Sequence, residues 1–225
     1  MPSQHADNRS AILYVDGFNL YRQLLQAHPH AKWLDLAAMA DVLLPAFTVR
    51  RVRFFTARIR ATAGSDPTAP VRQATYLRAL QTQDRISIHE GTFRVDKRWM
   101  ARHPVTLGAD GIPLTVRVRK IEEKGSDVNL AAYMLFDAFR GECEATFLLS
   151  NDSDFADAFR LVRDGVGQKI GLISPTERPS RSLLNIKPDY VRQLRLGLVS
   201  KCQFPETLQD EHGTIRRPAS WRSHS

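Results

Sequence analysis

The sequence predicts an α/β fold, a mainly parallel sheet covered by helices on both sides. Two observations carry that expectation. Short apolar runs alternate with stretches of helical spacing along most of the chain, the order that builds strand–crossover–strand units. Acidic residues recur directly after those apolar runs, at the sheet edge where open α/β folds bind ligands.

Each element follows in turn. AILYV, 11–15, reads as a short buried strand. Helical spacing follows over 18–28 and 34–44, through Leu20, Leu24, Leu34, Ala37 and Ala38, with Asp35 in the first turn of the second pattern. Pro45 ends or kinks that helix. VRRVRFFTARI, 49–59, alternates basic and apolar residues and reads as a strand. The breaker cluster 61–70 separates it from a helix over about 71–81. RISIHEGTF, 85–93, is the third strand. Residues 94–115, rich in Gly, Pro and basic residues, read as a long inserted loop with a short hairpin through Asp110-Gly111. A strand starts near 116. A strong helix covers 127–139, with Val128, Ala131, Ala132, Leu135 and Phe139 on one face. ATFLLS, 145–150, is a buried strand, followed by a helix from about 154 to 163 that Gly165 ends. KIGLIS, 169–174, is the last clear strand. From about 201 the chain turns polar, yet Phe204, Leu208, Ile215 and Trp221 predict that parts of this tail dock on the domain.

Composition bounds the function. At 225 residues and 43% hydrophobic content the chain suits one large α/β domain, or one domain with an extension. No apolar run approaches the length of a membrane helix, and the polar MPSQHADNRS lacks the apolar stretch of a signal peptide, so a cytoplasmic protein without a membrane partner is expected. Cys143 and Cys202 are isolated, which excludes a zinc ribbon or C-x-x-C redox motif. A formal charge of +8 favours polyanionic partners, nucleic acid first.

Three chain segments bring acids to the same predicted edge: Asp16 in Asp16-Gly17-Phe18-Asn19, Asp127 after Ser126, and Asp152 and Asp154 in Asn151-Asp152-Ser153-Asp154. Any one of them serves equally as a helix cap or first-turn acid. Gathered together they repel and raise one another's pKa, and a hard cation, Mg²⁺ or Mn²⁺, offsets that. Such ions polarise phosphoryl oxygens and activate water. Asn19 is placed to orient a carboxylate, water or phosphate, and Ser153 to cap the following helix. Gly165-Val166-Gly167-Gln168-Lys169 fails G-x-G-x-x-G and precedes a strand, so it reads as a turn.

YVDGFNLY, EKGSDVNLAAYML and LLSNDSDFADAFRLVRDGVGQKIGLIS together resemble the NYN domains, PIN-like ribonucleases, and the LabA-like bacterial branch in particular. The resemblance covers 10–196, with the basic insertion around 94–115, and leaves 197–225 as a C-terminal extension. It implies a Rossmann-like three-layer α/β/α sandwich, PIN-like, and metal-dependent cleavage of RNA. Carried over by motif, Asp16, Asp127, Asp152 and Asp154 form the acidic metal pocket, with Asn19 beside them as a catalytic residue. Asn151 stands where the family commonly has glycine. The expected function is therefore a Mg²⁺- or Mn²⁺-dependent endoribonuclease acting on single-stranded RNA. A catalytically silent RNA-binding protein and a small-molecule phosphohydrolase are the alternatives. Basic residues Arg50, Arg51, Arg53, Arg58 and Arg60 on one strand, with Lys97, Arg98 and Lys124, offer phosphate contacts, Arg58 and Arg60 foremost because they fall near a strand's carboxyl end. The oligomeric state stays open, a homo-oligomer included.

Overall fold

The computed structural model describes residues 9–59 and 66–222. Strand β1 (Arg9–Asp16) is central. The chain then crosses through α1 (Gly17–Leu20), a π-helical turn (Tyr21–Leu25) and α2 (Leu36–Leu43) to β2 (Phe47–Ala57), and through α3 (Ala69–Gln81) to β3 (Ile86–Ala101). β4 (Thr115–Lys124) returns antiparallel to β3 and leads into α4 (Ser126–Phe139). On the other side of β1 lie β5 (Ala145–Leu149), α5 (Ala156–Arg160), β6 (Lys169–Ser174), α6 (Arg181–Leu184) and β7 (Tyr190–Gln193). The sheet order is β4-β3-β2-β1-β5-β6-β7, parallel except for β4. After it come α7 (Leu196–Lys201) and a two-stranded ribbon of β8 (Thr207–Asp210) and β9 (Gly213–Arg216).

Alternation along the central strands feeds two cores. Ala11, Leu13 and Val15 of β1 pack with α2, α3 and the tail; Ile12 and Tyr14 pack with α4, α5 and α6. This is the three-layer, Rossmann-like α/β/α sandwich that the sequence predicts. Strand order reverses between β1 and β5, so a crevice opens at their carboxyl ends. No helix among the described residues is long and apolar enough to cross a membrane.

Four local expectations are corrected. Residues 94–101 are not loop: β3 runs 16 residues and pairs with β4 from Thr92↔Lys124 to Ala101↔Thr115. The paired arm extends beyond β2, whose register with β3 stops at Ala57↔Gly91. Both faces of such a ribbon meet solvent, so its strands need no apolar side, and a basic, loop-like composition conceals them. The turn at Asp110-Gly111 is present at its tip, with Gly111 at φ 76°. In α4 the buried stripe is Leu130, Met134 and Ala138, whereas Val128 and Phe139 are exposed. The pivot is Asp137, which a hydrophobic count places outside and an ion pair holds inside. KIGLIS is followed by three further strands, β7, β8 and β9. Finally, Asp152 rather than Ser153 caps the turn after β5, its Oδ1 accepting from the Asp154 N–H at 3.0 Å.

The tail does dock. Phe204, Ile215 and Trp221 are buried, and Trp33 packs against Phe204 and Trp221 with ring centroids 5.7 and 6.3 Å apart. Trp33 Nε1 donates to the Pro205 carbonyl at 2.8 Å. An indole is large and carries one donor, so burial is favourable here because that donor is satisfied.

Candidate active site

The carboxyl end of β1 places Asp16 at the reversal point, 5% exposed. One oxygen caps α1 by accepting from the Asn19 N–H at 2.9 Å; the other accepts from Ser150 Oγ, at the end of β5, also at 2.9 Å. Asn19 Oδ1 accepts from the Asn151 N–H at 3.0 Å, so the turns after β1 and β5 are bound to each other. Asn151 Nδ2 donates to Thr176 Oγ1 and the Arg178 carbonyl, both 3.1 Å, which ties the turn after β6 to the same centre. Gly17 follows Asp16 because a Cβ there would lie 2.6 Å from the Phe55 carbonyl oxygen and 2.8 Å from the Phe54 ring.

Asp127 arrives by a different route. The β3–β4 hairpin leaves the sheet and comes back, and Gly125, at φ 101°, turns the chain into α4. The Glu123 carboxylate then accepts from Ser126 N at 3.0 Å and Ser126 Oγ at 2.7 Å. Gly91 makes room: a Cβ there would stand 2.2 Å from Glu123 Oε1.

Asp16, Asn19, Asp127 and Asp152 therefore line one cavity of about 190 Å³, together with Arg22 and Glu123. Burial pushes the Asp16 carboxyl up to about 6, against the hydrogen bonds from Asn19 and Ser150 and with help from the charges of Asp127 and Asp152. Asp127 is also raised, by desolvation first and then by Glu123 and Asp152. Asp154 does not line the cavity; its side chain is exposed. Among the described residues no group of three or more His, Cys, Asp or Glu is close enough to hold one metal ion. The acids share a cavity without forming a ready coordination shell.

A second, apolar cleft of about 170 Å³ adjoins the first, with Phe18 lining both. Phe54, Tyr76, Leu77 and Trp221 form its walls, and Lys32 and Arg72 also line it. Arg72 is paired with Asp66. Lys32 has no acidic partner among the described residues; its ammonium lies 5.1 Å from the Tyr21 ring centroid.

The basic residues divide. Arg53 is buried, not a surface contact. It forms a two-pronged pair with Asp137 (2.6 and 2.8 Å) and lies 4.7 Å from the Tyr133 ring centroid, while Tyr14 OH donates to the same carboxylate at 2.6 Å. Arg58 is held by Glu90 at 2.7 and 2.8 Å. Arg98 is paired with Asp96 and Glu122, and Lys124 with Glu122. Lys97 projects from the arm. Arg60 lies outside the described residues.

No protein-family model matches the chain. It is 30% identical, over 235 aligned positions, to 6-hydroxy-3-succinoylpyridine 3-monooxygenase HspA of Pseudomonas putida (strain DSM 28022 / S16), with 93% of this chain and 74% of that protein covered. The chain belongs to the family of this monooxygenase. A solved structure of a protein of unknown function, VPA0982 from Vibrio parahaemolyticus RIMD 2210633, shares the fold at a TM-score of 0.51 and 16% identity, covering 87% of this chain and 97% of that one. Membership in an enzyme family named for oxygen insertion overturns the endoribonuclease expectation, together with its RNA-binding and phosphohydrolase alternatives. The error has a physical root. Carboxylates at a strand-order reversal reveal a reactive crevice, but proton transfer and metal binding both use them, and the apolar cleft next door is assembled from side chains too scattered to read in sequence.

Proposed function

We propose that the protein is an oxidoreductase that hydroxylates an aromatic ring bearing a hydroxyl and a carboxylate arm. The observation that carries this reading is the family relation along 93% of the chain. The relative's name describes a pyridine ring with a hydroxyl and a succinoyl arm, and the two adjoining cavities suit such a molecule. The ring lies in the apolar cleft among Phe18, Phe54, Tyr76 and Trp221. Lys32 receives the carboxylate. The ring hydroxyl points past Phe18 toward Asp16.

Asp16 is the proton acceptor. With its pKa at about 6 it is ionised at neutral pH and still basic enough to share a phenolic proton. Removing that proton makes the ring electron-rich at the carbons that oxygen attacks. Oxygen enters at the ring carbon that carries the acyl arm, the position in the relative's name, so the ring–acyl bond breaks: one atom of O₂ becomes the new ring hydroxyl, the other leaves as water, the arm departs as its aldehyde, and a reductant supplies four electrons and four protons. The turn after β1 does not fit the usual dinucleotide seat: Asp16-Gly17-Phe18-Asn19 lacks the glycine pattern, and a carboxylate already occupies the capping position where a pyrophosphate would sit. No step is assigned to a dinucleotide there. Mg²⁺ or Mn²⁺ belongs to the same proposal as a largely hydrated ion in the acid cavity, held by no more than two of Asp16, Asp127 and Asp152 at once and offsetting their repulsion, since an all-oxygen donor set suits either ion. A cytoplasmic setting belongs to it too; Cys143 and Cys202 are both buried and free.

The test is oxygen uptake with 6-hydroxy-3-succinoylpyridine and hydroxyaryl carboxylates of similar size, with a reduced nicotinamide as electron donor. ¹⁸O₂ label should enter the product ring. Lys32→Met should raise KM about tenfold or more with kcat little changed, the pattern of a binding contact shared by ground and transition states. Absence of uptake and of label with every member of the series would refute the reading.

A further inference from the structure

β4 is the outermost strand of the seven-stranded sheet, and among the described residues nothing pairs with its outer edge. It is 10 residues long, pairs with β3 without a bulge and contains no proline. A long, regular, unpaired edge is a template for another strand. Charged side chains normally defend such an edge. Here they are arranged to select one partner.

The centre of β4 reads Arg119-Lys120-Ile121-Glu122-Glu123. Two cations precede the isoleucine and two anions follow it. When this segment pairs antiparallel with a second copy of itself about Ile121, Arg119 falls opposite the partner's Glu123 and Lys120 opposite the partner's Glu122. Each pairing occurs twice by symmetry, and Ile121, 43% exposed, meets its own copy. Centring the pair on Arg119 or Lys120 instead places that cation against itself. Cross-strand order within the chain adds a second observation. Lys97 of β3 stands directly opposite Arg119, a like-charge pair, and neither has an acidic partner among the described residues. On the other face Arg94, Asp96, Arg98, Lys120 and Glu122 are linked by ion pairs.

We propose that the protein forms a two-fold dimer by antiparallel pairing of β4 with β4 about Ile121, which joins two sheets into one of fourteen strands. The partner then contributes to the site: the partner's Arg119 meets Glu123, which lines the acidic cavity.

Light scattering after gel filtration, on the full chain, tests this. The wild type should show twice its 25.5 kDa mass. Lys120→Glu and Glu122→Lys, both at half-buried positions of the arm, should each weaken the dimer at least tenfold, because each places two like-charged pairs across the axis. An equal mixture of the two variants should recover the dimer, since every pair across the axis is then opposite in sign. Circular dichroism verifies that each variant is folded. A wild type that stays at 25.5 kDa at all concentrations, a dimer indifferent to both variants, or a mixture that fails to associate would each overturn the proposal.

Discussion

Replacing Asp16 with asparagine should make the protein more stable and less active. The carboxyl is 5% exposed, and its pKa is raised from the ordinary 3.8 to about 6. A raised acid pKa means that the folded state binds the proton more tightly than the unfolded state. Ionisation therefore weakens the fold. The penalty is absent below about pH 4, grows as pH rises from 3.8 to about 6, and is complete above that. A rise of that size corresponds to about 3 kcal/mol. Asparagine is neutral and nearly isosteric. Its carbonyl can accept from the Asn19 N–H, and the Ser150 hydroxyl can turn from donor to acceptor. For a chain of this length about 3 kcal/mol is roughly 6–12 °C in Tm. Thermal unfolding followed by circular dichroism at about pH 8 should show that gain for Asp16→Asn over the wild type. At about pH 4.5 the gap should shrink to a fraction of it, and turnover should be largely lost. An asparagine variant that is no more stable at about pH 8, or whose advantage is the same at both pH values, would refute the reasoning.

Other outcomes follow from features elsewhere. Asp137→Ala leaves the buried Arg53 guanidinium and the Tyr14 hydroxyl without their shared acceptor and should cost about 3–5 kcal/mol, measured by urea unfolding. The double replacement Arg53→Met, Asp137→Leu should recover much of that, because an apolar pair leaves no stranded charge. Gly171→Ala drives a methyl to 2.2 Å from the Phe147 ring between β5 and β6 and should destabilise by about 1–3 kcal/mol. Mn²⁺, if held by the acid cavity, should raise the Tm of the wild type and leave that of Asp16→Asn unmoved in differential scanning fluorimetry.

Some of this site is legible in the chain and some is not, for identifiable reasons. Asp16 and Asp152 can be placed without coordinates because each follows a buried parallel strand, and two such strands on either side of a reversal must present their ends together. Asp127 is legible as a helix-start acid. Glu123 is not, because it lies within a strand rich in charges of both signs, and only the hairpin's return path carries it to the cavity. Arg53 and Asp137 look like surface charges for the same reason that their burial is tolerated: each satisfies the other, 84 residues away. Asp154 shows the opposite failure. Its motif is intact, yet the capping geometry of Asp152 turns it outward. The walls of the apolar cleft, Phe18, Phe54, Tyr76 and Trp221, come from four separate elements, and no local pattern joins them.

The three tryptophans give the molecule a set of optical reporters. Trp33 and Trp221 share the aromatic cluster that the tail closes, so their emission should be blue-shifted and sheltered from quenchers. Trp99 is 67% exposed on the arm, directly across from Arg117 and beside Lys97 and Arg119. Iodide, an anion, will concentrate at those cations, whereas acrylamide will not. The difference between the two quenchers singles out Trp99, so one cuvette can follow the arm in the iodide signal and the cleft in the sheltered light that remains.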